Sequence, residues 1–205
     1  MYFEGKFRKI GQADCSALAE YIAAMPDSVW NENTDRQNVY DVHASTQMIP
    51  LIFDADFRHR FPTVHKQLAG FSQWLEPAMQ NIVDYYRSLE EQHEDYQKLR
   101  FNQAYFVRII LVRLAAGTEI KPHTDHGYSL SRAHRIHWPV ITNEAVSFCI
   151  DDENKTLPAG ELWEVNNRRT HSVKNASQFA RYHIIFDFVI PHEAINDPQL
   201  GRLQA

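Results

Sequence analysis

His123-Thr-Asp125 and His171 supply two imidazoles and a carboxylate, and Arg181 follows ten residues after the second histidine. Such a set binds a divalent cation at three points and leaves three positions of an octahedron open. It suits iron(II) of the non-haem oxygenase kind, and zinc accepts it too. In an extended segment alternate side chains share a face, so the His-x-Asp spacing turns both groups to one side. His-x-Asp is also a common surface pattern. Arg181 adds weight. A keto acid that chelates a metal through its 1-carboxylate and 2-oxo group leaves its far carboxylate some way off, where a buried arginine can hold it. The bland alternative is an exposed strand arginine.

Other side chains cluster around this pattern. Arg135 and His137 form a second same-face pair, either for an acid group of cosubstrate or substrate or as the solvent-facing edge of a strand. Arg181 and His183 also share a face, because Tyr182, Ile184 and Phe186 alternate with His183, Ile185 and Asp187. Of 11 histidines, six fall between His123 and His183. His126 and His134 flank a loop at 127–133 that should hang over the site, and they read as loop histidines, not ligands.

The elements that would position these groups come in two textures. Residues 14–25 read as a short helix stopped by Pro26, and 48–53 as a strand with Pro50 at an edge. Residues 62–99 look helical: Met79, Ile82, Val83, Tyr86 and Leu89 recur at helical spacing, with Pro77 breaking or starting a helix. From about 102, strand-like runs lie at 104–114, 119–123, 135–141, 146–150, 161–165, 171–173 and 181–190. A brief pairing around 155–157 completes about eight strands, separated by Gly, Asn, Asp and Pro turns. That pattern predicts a double-sheet jelly roll, also called a double-stranded β-helix, of the cupin-like kind. The fold class is α+β with a mainly β core and the N-terminal helices packed outside one sheet. Residues 1–205 read as a single domain, helical to about 100 and jelly roll over about 101–191.

Bulk properties narrow the partners. At 44% hydrophobic and 23% charged, with a net charge of −5, the chain has the composition of a globular domain without affinity for nucleic acid or anionic membranes. No apolar run approaches the ~20 residues of a membrane span, and the start lacks a secretion-signal pattern. Cys15 and Cys149 read as free thiols in a reducing cytoplasm, with a single disulfide between them as the alternative.

The motifs Arg113-Leu-Ala-Ala-Gly-Thr-Glu-Ile-Lys-Pro-His-Thr-Asp125, Arg135-Ile-His137, Gly160-Glu-Leu-Trp163, His171-Ser-Val-Lys-Asn175 and Arg181-Tyr-His-Ile-Ile-Phe-Asp187, in this order, resemble the aspartyl/asparaginyl β-hydroxylase family. The resemblance covers about 104–190. Trp30, Arg36 and residues 42–51 resemble it less specifically. It implies an Fe(II)- and 2-oxoglutarate-dependent dioxygenase using O2. The metal ligands and catalytic residues would be His123, Asp125 and His171, with Arg181 on the 5-carboxylate of 2-oxoglutarate. Arg135 and His137 would lie near the keto-acid 1-carboxylate and the substrate acid. The vertebrate branch has glycine where this chain has Asp125, so the chain resembles the bacterial branch, such as the proline cis-4-hydroxylases. Val112 stands where the vertebrate branch has a hydroxyl-bearing residue, with Arg113 beside it as a candidate replacement. The implied substrate is a small molecule or amino acid, or an aspartyl/asparaginyl-like residue, with 30–43 and 126–133 walling the pocket. Two other classes keep the triad: a cupin-type metal hydrolase or isomerase, which would not need Arg181, and a non-catalytic acid-binding module.

Overall fold

The computed structural model describes residues 3, 5–32, 45–55, 62–92 and 101–191. Arg36, His43 and the expected helical stretch beyond 92 lie outside the described residues.

Two antiparallel sheets face each other. The larger has the order β1-β9-β6-β11-β4-β2-β3 and the smaller β5-β10-β7-β8. The strands are β1 (Phe7–Gln12), β2 (Thr46–Phe53), β3 (Thr63–Val64), β4 (Tyr105–Leu114), β5 (Glu119–His123), β6 (His134–Ile141), β7 (Val146–Ile150), β8 (Glu153–Lys155), β9 (Glu161–Val165), β10 (His171–Asn175) and β11 (Arg181–Val189). Strands β4 to β11 form the jelly roll, four in each sheet, and β1, β2 and β3 widen the larger one. The expected eight-strand core is therefore present, with the brief pairing at 153–155 instead of 155–157.

The larger sheet is covered on both faces, which is why β4 reads as a nearly continuous apolar run. On its outer face lie α1 (Ser16–Ala23) and α2 (Leu68–Gln92). Phe71, Leu75, Ala78, Ile82 and Tyr86 of α2 recur at spacings of three and four, and with Leu18 and Ile22 of α1 they pack on Ile109, Leu111, Ile136, Trp138, Ile184 and Phe186. Between the sheets, Leu114 and Val165 of the larger meet Ile120, Val146, Phe148, Ile150 and Val173 of the smaller.

Three expectations change. Pro77 neither starts nor ends a helix: α2 runs through it. The proline lies on the exposed side, so the carbonyl one turn earlier that loses its N–H partner faces solvent, where the cost is lowest. β1 was not foreseen, because Arg-Lys-Ile-Gly-Gln shows little alternation. It is an edge strand held by side chains, with Arg8 paired to Glu164 and Lys9 to Glu161 across β9. Trp30, expected at a pocket wall, is buried in the helix-side core with its ring 5.4 Å from Tyr182. Pro50 pairs with Ile110 of β4 on one side and, among the described residues, has no strand on the other, since β3 pairs only Ile52 and Phe53.

Candidate metal centre

β5 ends on His123 and β10 begins on His171, and these two residues are register partners. Their ring centroids lie 4.3 Å apart. Both rings are anchored alike: His123 Nδ1 is 2.7 Å from the Lys121 carbonyl oxygen and His171 Nδ1 is 3.0 Å from that of Arg169. A carbonyl can only accept, so each Nδ1 carries a hydrogen and Nε2 is the nitrogen left to face a metal. That is the tautomer of a metal ligand whose second nitrogen is tied down.

Asp125 lies beyond the end of β5, so strand alternation does not aim it. The turn between β9 and β10 does. The Asp125 N–H donates to the Asn167 carbonyl at 3.0 Å, and Arg168 Nη1 donates to the Asp125 carbonyl at 2.8 Å. On the side chain, Arg135 Nη1 at 2.6 Å and Asn167 Nδ2 at 3.2 Å both donate to Oδ2. Oδ1 lies 3.8 Å from His123 Nε2. One donor atom from each of His123, Asp125 and His171 falls within 4.8 Å of the others.

Ionisation matches this use. Burial works against a charged Asp125, but Arg135, His171, His123 and the Asn167 hydrogen bond together outweigh it, and its pKa is driven far below the carboxylate range. Burial, outweighing the pull of Asp125, holds the His171 pKa below the ordinary imidazole value. At neutral pH the carboxylate is ionised and His171 is neutral. Donor types, tautomers and charge all fit a divalent cation such as iron(II).

A second group lies on the inner face of β6 and β11. Arg181, only 1% exposed, places Nη2 2.6 Å from His183 Nδ1. A guanidinium only donates, so His183 Nδ1 accepts. His137 Nδ1 is 3.3 Å from the same atom. Burial, and then the charge of Arg181, pushes the pKa of both histidines well below the usual value, so both are neutral. The result is one buried cation flanked by two neutral imidazoles. His137 connects this group to the triad through Phe148, whose ring meets that of His137 and stacks on His171. Towards β4 and β2 the inner face turns apolar, with Ile185, Ile110, Val112 and Met48 in one cluster.

The structure thus brings together His123, Asp125, His171, His137, Arg135 and Arg181, all six positions singled out by sequence. Arg135 differs in its partners. Its donors reach Asp125 and Asp187 within the protein, where a cosubstrate or substrate acid was expected. Arg113 does not face the site: it donates to Asp27 and packs by Trp30 and Tyr182 on the helix side. His134 is not a loop histidine. It opens β6, is buried, and its Nδ1 donates to Glu164 Oε1 at 2.7 Å. The loop after Asp125 is tied down beside it, with Asn167 reaching the Leu130 carbonyl at 3.4 Å. Sequence reading missed Asn167 and Arg168, which look like turn residues, and Asp187. The last had a signal: it is a lone acid within an apolar strand.

A family model described as aspartyl/asparaginyl beta-hydroxylase matches residues 65–191, well over half of the chain. The chain belongs to that family. As an aspartyl/asparaginyl β-hydroxylase family member it is an enzyme of the iron(II)/2-oxoglutarate oxygenase class, with iron(II), 2-oxoglutarate and O2 as its cofactor set. Solved structures are similar to this hydroxylase in fold. A Pseudomonas putida prolyl-4-hydroxylase shares 13% identity at a TM-score of 0.55, over 91% of this chain and 93% of that one. An oxidoreductase of the 2OG-Fe(II) oxygenase family from Burkholderia pseudomallei shares 11% at 0.54, over 74% and 71%. The viral collagen prolyl hydroxylase of Paramecium bursaria Chlorella virus-1 shares 8% at 0.52, over 91% and 96%. At such identities the likeness concerns the fold alone. No curated protein matches the sequence. No helix among the described residues is long and apolar enough to cross a membrane.

Proposed function

We propose that residues 1–205 act as one oxygenase domain that hydroxylates a C–H bond of an amino acid or of an aspartyl/asparaginyl-like substrate. His123, Asp125 and His171 would hold the iron. When bound, iron(II) with 2-oxoglutarate and O2 supplies the oxidation: the keto acid loses CO2 to become succinate, taking one oxygen atom, and the other enters the substrate C–H bond. The chain's own residues bind and orient. Arg181 would take the 5-carboxylate of 2-oxoglutarate in a charge-assisted pair, strong because it is withdrawn from water. His137, neutral and next to both Arg181 and the triad, would face the span between the two carboxylates. The apolar wall of Ile110, Val112, Ile185 and Met48 keeps water from that side of the interior. The polar loop at 126–133 would face the substrate; Arg132 is stacked on Tyr128 there, 3.5 Å from the ring centroid. The free thiols Cys15 and Cys149 support a reducing, cytoplasmic setting.

The observation that carries the reading is the pair of anchored imidazoles presenting Nε2 beside Asp125 Oδ1, with the buried Arg181 linked through His183 to His137. The test is anaerobic titration of the apoprotein with Fe(II) and 2-oxoglutarate, followed by visible absorption. Keto-acid chelation gives a weak charge-transfer band, which His171→Ala should abolish. Metal binding without that band would hand the site to a cupin-type hydrolase or isomerase.

A further inference from the structure

Arg135 is expected by resemblance to touch an acid on cosubstrate or substrate, yet its guanidinium is engaged by the protein at three points. Nε and Nη2 donate to the two oxygens of Asp187, each at 2.9 Å. Nη1 donates to Asp125 Oδ2 at 2.6 Å. The Asp187 pair is side-on and two-pronged, the geometry in which an arginine is held most rigidly. Asp187 on β11 is the register partner of Arg135 on β6, so the backbone ladder itself sets the pair. Both residues are buried, Asp187 at 1% exposure. Freeing Arg135 for another acid would leave Asp187 as a buried, uncompensated charge, which is strongly unfavourable.

The consequence falls on Asp125. Its Oδ2 receives both Arg135 Nη1 and Asn167 Nδ2, and its Oδ1 is the oxygen nearer His123. A half-turn of the carboxylate would keep the atoms equivalent, but any intermediate angle breaks both hydrogen bonds. The carboxylate is therefore locked with one oxygen towards the imidazoles and the other committed to the protein.

We infer that Arg135 is a positioning residue of the metal centre, which with Asp187 and Asn167 fixes Asp125 as a one-oxygen ligand, and is not a contact for the keto acid. This rests on the triad being the metal site.

The experiment uses Co(II) as a spectroscopic stand-in for iron, titrated into the full-length apoprotein of wild type, Arg135→Lys, Asp187→Asn and Asn167→Ala, with 2-oxoglutarate then titrated into each Co(II)-saturated protein. The expected result is Co(II) affinity lower by ~10–100-fold in Arg135→Lys and Asp187→Asn, the usual effect of removing a partner that orients a ligand. The visible d–d bands should shift, and half-saturation for 2-oxoglutarate should stay within about twofold of wild type. Asn167→Ala removes one donor to Oδ2 while keeping the buried ion pair, so it reads the same effect, smaller, if the other two variants fail to fold. The inference is overturned if the variants bind Co(II) as wild type does, or if Arg135→Lys loses 2-oxoglutarate affinity with its Co(II) affinity intact. Wild type failing to bind Co(II) would overturn the metal reading of the triad itself, a distinguishable result.

Discussion

The two faces of β6 and β11 carry opposite kinds of residue. Outward, Ile136, Trp138, Ile184 and Phe186 pack on the helices. Inward, within one or two residues of each, stand Arg135, His137, Arg181, His183 and Asp187, all buried. A strand with period two can serve both sides at once. The helices cover an apolar face that anchors the strands, so the inner face can hold charged and imidazole groups at defined positions without also supplying the hydrophobic stabilisation. The difference predicts a division of effects: outer substitutions should change stability, and inner ones ligand binding.

The largest effect is expected inside. His171→Ala removes one of the two Nε2 donors and should take metal-dependent turnover to background, while the unfolding midpoint of the apoprotein moves little. A fall in apoprotein stability of several kcal/mol would break the division. Outside, Phe186→Ala deletes a fully buried ring from the helix-side core and should cost ~3–5 kcal/mol in urea unfolding. Co(II) affinity of the folded fraction should not change; if it does, the two faces are mechanically coupled through β11. Arg181→Ala should raise the half-saturation concentration of 2-oxoglutarate by ~30-fold or more, from ~2 kcal/mol or more for losing one partner of a buried charge pair. Metal affinity should be retained. Unchanged dependence on 2-oxoglutarate would favour a hydrolase or isomerase reading of the triad.

How much of this was legible follows from the range of the interactions. The strands from 105 to 189, apart from the shifted β8, read correctly because turn residues punctuate short apolar runs, a local signal. His123, Asp125 and His171 were found through residue type and spacing, although Asp125 is aimed by Asn167 and Arg168 and not by strand alternation. Those two residues belong to a turn far along the chain, and nothing in their own neighbourhood marks them. β1 was invisible because its pairing depends on Arg8 and Lys9 meeting acids of β9. Arg135 was found, but its partner was not, because the ion pair with Asp187 exists only once β6 and β11 are in register.

The smallest effect tests the exception. On the outer face of the sheet, Glu164 is buried, with His134 Nδ1 donating to one oxygen and Arg8 Nε, at 2.9 Å, to the other. Tyr86 of α2 lies against His134, ring centroids 4.2 Å apart. Charge here ties β1 to the sheet, and the His134 ring meets α2, on the face away from the metal centre. Burial raises the Glu164 pKa, but His134 and then Arg8 outweigh it, leaving it below its ordinary value of 4.5. The native state therefore binds this proton less readily than the unfolded chain. The stability it contributes is fully present above about pH 5 and is lost as pH falls through 4.5 towards the native pKa. Glu164→Gln should cost ~1–3 kcal/mol at neutral pH, typical of a lost charged hydrogen bond. The gap to wild type should narrow as pH drops from 5 to 3 in a series of urea unfolding curves, with Co(II) binding at neutral pH unaffected. A gap that stays constant across that range would mean the carboxylate contributes by shape and not by charge. A gap accompanied by loss of metal would mean that the outer cluster, through His134 and its neighbour Arg135, reaches the site after all.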